Sequence, residues 1–116
     1  MEESILLTIK RLVGGIHTDN TVFDSELIAH INNAIGTLMQ LGVGPKEGIY
    51  ILDESNKWYE ITTSPRLLGL IQIYIKGKVQ LSFDQPTSSF VLSSIENQVK
   101  EAEWRINEIV EELKGE

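Results

Sequence analysis

His17 and His30 are the side chains best suited to metal or proton-transfer chemistry in this chain, and they stand thirteen positions apart. No HExxH pairing and no flanking ligand pattern accompanies them, so they read as an ordinary loop residue and an ordinary helix residue. Asp53-Glu54-Ser55-Asn56 would attract a cation, but it lacks the glycine and terminal glutamate that a calcium loop places at fixed spacing. A surface turn is the plainer reading. Gly42-Val43-Gly44-Pro45 has neither the GxGxxG nor the GKS/T form and reads as a helix stop. Ser88 and Ser89 have no recognisable base beside them, and no two carboxylates are placed as an acid and a base. The expectation is a protein with no catalytic residue, no cofactor and no metal, and therefore not an enzyme.

Composition narrows the classes further. There is no cysteine, which removes disulfides, thiol catalysis and cysteine-containing zinc sites. Seventeen acids against ten Lys and Arg give a net charge of −7, the wrong sign for a protein that grips a phosphate backbone. The longest amphipathic segment is acidic rather than lysine-rich, which argues against a membrane surface. No apolar run approaches a membrane span, and MEESILLTIKRLVGG does not read as a secretory signal. The charge is uneven: residues 66–78 carry three bases and no acid, whereas residues 96–116 carry seven acids against three bases. The latter is either a solubilising surface or a face that meets a partner.

The elements that would position these groups are helices. Ile5, Leu6, Ile9, Leu12 and Val13 form a stripe at helical spacing, stopped by Gly14 and Gly15. Leu27, Ile31, Ala34, Leu38 and Leu41 form a second, begun by a cap at Asp19, Thr21, Asp24 or Ser25 and ended by Gly42, Gly44 and Pro45. Gly36 inside it suggests close approach of another helix. Residues 43–64 form an irregular or hairpin-like loop anchored by Tyr50, Trp58 and Tyr59. Ser64-Pro65 then opens a third helix running to about Phe83, apolar on nearly all sides and hence central.

Asp84-Gln85-Pro86 breaks that helix, and Thr87 or Ser88 caps a fourth. In the fourth, Leu92, Ile95, Val99, Ala102, Ile106, Ile109 and Leu113 repeat with heptad spacing, a packing seam and candidate subunit contact. Phe90, Val91 and Trp104 lie beside that seam, placed to dock on the central helix or on a neighbouring subunit. The expected fold is all-α, one helical domain over 1–116 with about four helices, the third and fourth long. A fourth helix longer than so small a core needs points to an oligomer.

FDSELIAHINNAIGTLMQLGVG, DESNKWYEI, LLGLIQIYIKGKVQLSFD and QPTSSFVLSSIENQVKEAEWRINE together resemble the head–tail connector proteins of tailed bacteriophages, the small adaptor or head-completion proteins that assemble on the portal. The resemblance is most specific around FD-QPTSSFVLSSIENQ-EWRI. It implies a virion protein at the neck between capsid and tail, assembled in the host cytoplasm as a ring of about twelve copies. Its partners would be the portal protein, a stopper or tail component, and double-stranded DNA that passes through without sequence-specific binding. Glu101, Glu108 and Glu112 are then candidates for an acidic channel face that repels phosphate. Tyr50, Trp58 and Tyr59 are candidates for a loop interface. The ending EELKGE offers no aromatic tail, so docking by a terminal segment is not expected. Two other classes fit the residues less well: a small helical protein-binding or regulatory module, and another neck or tail completion protein.

Overall fold

Each helix starts and stops for a local reason. The computed structural model describes residues 1–14 and 16–115; Gly15, expected to share in stopping the first helix, lies outside them. Helix α1 (Ile5–Val13) is capped by Ser4, whose Oγ accepts the Leu7 N–H at 3.2 Å. Helix α2 (Asp24–Gln40) begins without a side-chain cap at Phe23, but Asp24 and Glu26 in its first turn favour its positive end. Its other end is a Schellman turn: Val43 N–H bonds Leu38 C=O, Gly42 N–H bonds Met39 C=O, and Val43 and Leu38 are both buried. Gly42 has φ +97° there, a conformation glycine adopts freely.

Helix α3 (Pro65–Phe83) and helix α4 (Ser89–Lys114) are capped by Ser64 and Ser88, and Pro65 occupies the first turn of α3. The all-α expectation holds: among the described residues there are four α-helices and no strand. In place of a hairpin, residues 43–64 form an irregular path ending in a short 3₁₀ turn, Trp58–Glu60. The N-terminal segment ties that path down through Ile5 N–H to Asn56 C=O, Trp58 N–H to Glu3 C=O and Tyr59 N–H to Met1 C=O.

Helix α3 is central, packed against each of the other three. Phe83 meets Phe23 edge-on at 5.5 Å and also His30, so α2 and α3 run antiparallel. At its other end Arg66 meets Glu112, so α4 is antiparallel to α3 as well. At Gly77 the two helices approach so closely that a Cβ there would clash with Val99 Cγ2. Gly36, by contrast, faces open space, and the close approach expected there does not occur.

The buried stripe of α4 is Ile95, Val99, Ala102, Ile106 and Val110. A straight helix drifts by about 20° per heptad, so Ile109 rotates to the edge of the core and Val110 moves beneath Gly42. Leu92 is half-buried, and Leu113 is 42% exposed. These two lie near the ends of α3, where the core runs out, so the buried part of the seam is shorter than the repeat.

Candidate assembly surfaces

The residues with chemical potential are mostly spent on structure. Asp53 accepts both the N–H and the hydroxyl of Ser55, which holds its carboxyl below the usual carboxylate range. Asn56 Oδ1 accepts the N–H groups of Leu52 and Asp53, and the Glu60 carboxylate accepts from Lys57 N–H and from Asn56 Nδ2. The would-be cation cluster is therefore a self-bonded turn. His30 has its Nε2 buried without a hydrogen bond, 3.8 Å from Glu26 and beside Phe83; His17 is exposed next to Asp19. Among the described residues no three His, Cys, Asp or Glu side chains converge to hold a metal ion, and no helix is long and apolar enough to cross a membrane.

Trp58 corrects an expectation. It is wholly buried, with its Nε1–H donated at 3.0 Å to Thr8 Oγ1, which in turn donates to Ser4 C=O. It is therefore a core residue that fastens the loop to α1, with no surface left for a neighbour. Indoles are buried when their N–H finds a partner, and here that partner lies fifty positions away in sequence. Tyr50 and Tyr59 do remain exposed. Lys10 is the opposite surprise. It belongs to the buried set, and its Nζ donates to Thr18 C=O, Asn20 C=O and Asp24 Oδ1 at 3.2, 2.7 and 2.8 Å. All three donors of the ammonium are used, and the polar connection between α1 and α2 is held by them.

Two separate surfaces remain. On one flank of α3, its pairing with α4 leaves a shallow groove of about 360 Å³ lined by Leu70, Ile73, Lys76, Glu101, Ala102 and Arg105. The outward side of α4 beyond it carries Phe90, 82% exposed, and Trp104, 64% exposed. Neither docks on the central helix. On the other flank the loop packs over α1 and α2: Asn32 bonds both the N–H and the C=O of Ile51, at 2.8 and 3.0 Å, and Ile51 is buried. That anchorage holds Tyr50 and Leu52, 68% and 71% exposed, out to solvent, with Val22 also exposed. These exposed large apolar side chains are the candidates for contact surface.

Glu101, Glu108 and Glu112 are all exposed, and positions seven and four apart place them on one side of α4. Their charge is partly offset: Arg66 sits 2.8 Å from Glu112, and Arg105 sits 3.9 Å from Glu101. Glu108 alone of the three has no ion-pair partner among the described residues.

Residues 5–112, nearly the whole chain, match the family described as phage connector protein. No curated protein and no solved structure matches the chain.

Proposed function

This chain belongs to the phage connector protein family, structural proteins of the phage neck, and on that premise we propose that copies of it assemble as a closed ring on the portal. The ring, of about twelve copies by analogy with the family, continues the DNA channel and offers its far side to a stopper or tail component. It assembles in the infected cell's cytoplasm and remains in the virion neck. Its work is geometric rather than chemical, and the duplex passing through is cargo.

The observation that carries this reading is the presence of apolar surfaces on two flanks of one small protomer, Tyr50, Leu52 and Val22 on one and Leu70 and Ile73 in the groove on the other, with Phe90 and Trp104 exposed beyond them on α4. A ring former needs two unlike faces for its neighbours and further surface for the structures above and below. In this reading the outer parts of the α4 seam, Leu92, Ile109 and Leu113, and the loop residues Tyr50 and Tyr59 supply contact area. The acidic side of α4 borders the channel, its repulsion of phosphate resting chiefly on Glu108. The test is electron microscopy of the protein mixed with portal-bearing heads. A ring seated on the portal vertex is expected; a single copy bound, or none, overturns the proposal. A map that puts Glu101, Glu108 and Glu112 on the outer wall removes the channel assignment alone.

A further inference from the structure

We propose that the loop tip Leu52-Asp53-Glu54 of one copy seats in the α3–α4 groove of the next, against Ile73, Lys76 and Arg105. This rests on the ring reading and names the surfaces that make it. Three observations carry it.

The first is that the tip is held ready. Ile51 is buried and clamped at both backbone atoms by Asn32, and Leu52 N–H is fixed at 2.7 Å by Asn56 Oδ1. Leu52 is therefore presented by a fixed backbone rather than by a loose segment, which reduces the ordering cost of contact. The second is charge. Asp53 and Glu54 are exposed and have no ion-pair partner among the described residues. In the groove Lys76 likewise has none, and Arg105 has only a loose, exposed contact to Glu101 at 3.9 Å. A tip with two unpaired acids thus faces a groove in which two bases, Lys76 and Arg105, outnumber the one acid, Glu101, the complementarity that fixes register between partners.

The third is placement. The tip lies over α1 and α2, and the groove lies between α3 and α4, with the central α3 between them. Two unlike patches on different flanks make a head-to-tail contact, the kind a ring is built from when its rotation closes; a self-complementary patch would stop at a dimer.

The absence of native cysteine allows a direct test. Leu52→Cys and Ile73→Cys proteins, otherwise unchanged, are mixed on portal-bearing heads and oxidised. The mixed disulfide is expected to exceed each same-species dimer by about tenfold, as for a specific contact worth one decade in equilibrium constant. Lys76→Glu with Arg105→Glu in the Ile73→Cys partner should cut the mixed product by about tenfold. Asp53→Lys with Glu54→Lys in the Leu52→Cys partner should restore it. Same-species dimers in excess, or a yield indifferent to both charge reversals, overturns the proposal. Wild-type protein imaged in parallel separates the two readings. Rings without the mixed disulfide sink this contact and leave the ring standing, whereas neither rings nor disulfide sinks both.

Discussion

Gly36 and Gly77 both interrupt long helices, and the environment of each gives it a different consequence. A methyl at Gly36 meets nothing within 4 Å, so Gly36→Ala should stabilise the protein by about 0.5–1 kcal/mol through helix propensity alone. A methyl at Gly77 drives into the stiff, β-branched Val99, so Gly77→Ala should cost about 1–3 kcal/mol. Denaturant melts check both, and the Gly77→Ala, Val99→Ala double variant should lose less in total than the two separate losses added together. Tyr74, buried in the same region, has its pKa pushed up from 10.0, chiefly by burial and then by the Glu103 charge, against a hydrogen bond to Thr37 that lowers it. A phenol that ionises less readily in the folded state contributes stability that is complete below pH 10 and is lost as pH rises through the raised value. Wild type should therefore lose stability relative to Tyr74→Phe as the pH rises into the alkaline range. Thermal melts of both proteins on either side of pH 10 read this directly; a constant gap would contradict it.

Helix order was legible in the elements because periodicity and caps are local: Ser64-Pro65 and the Asp84–Pro86 break fall where α3 begins and ends. The seam of α4 was legible only through its middle. The heptad pattern treats Ile109 and Leu113 as core, but which residue is buried near the helix end depends on what lies opposite. Gly42 of the α2 turn covers Val110, and Leu113 is left at the edge. Val110→Ala should therefore cost about 2 kcal/mol in the isolated protein, and Leu113→Ala no more than about 0.5 kcal/mol. Equal losses in denaturant melts would mean that the heptad register persists to the end of the helix. Residues whose role depends on distant partners were the least legible. Trp58 reads as a loop aromatic until Thr8 is placed beside its indole, and nothing local in the sequence singles out Lys10, whose role comes from Thr18, Asn20 and Asp24 around its ammonium.

At the scale of the molecule, the protomer is a thin plate of 42 × 34 × 20 Å, and α4, about 39 Å long at 1.5 Å per residue, matches its longest dimension. With Gly77 facing Val99 and the helices antiparallel, Phe83 stands opposite about residue 93, so the first turn of α4 projects beyond α3 with Phe90 exposed. Trp104 lies fourteen positions on, about 21 Å along the same outer side. If the α3–α4 groove is taken by a neighbouring copy, these two aromatics are left for the structures above and below the ring. They contribute little to the protomer's own core, so Phe90→Ser and Trp104→Ser should each shift its stability by no more than about 0.5 kcal/mol. Aromatic anchors at interfaces commonly cost about 2 kcal/mol or more when removed, so retention on portal-bearing heads should fall sharply, even though rings still form. Quantitative mass spectrometry of purified heads, paired with melts of the free variants, measures both sides. A variant that melts early places its aromatic in the protomer; one retained as well as wild type removes it from the docking surface.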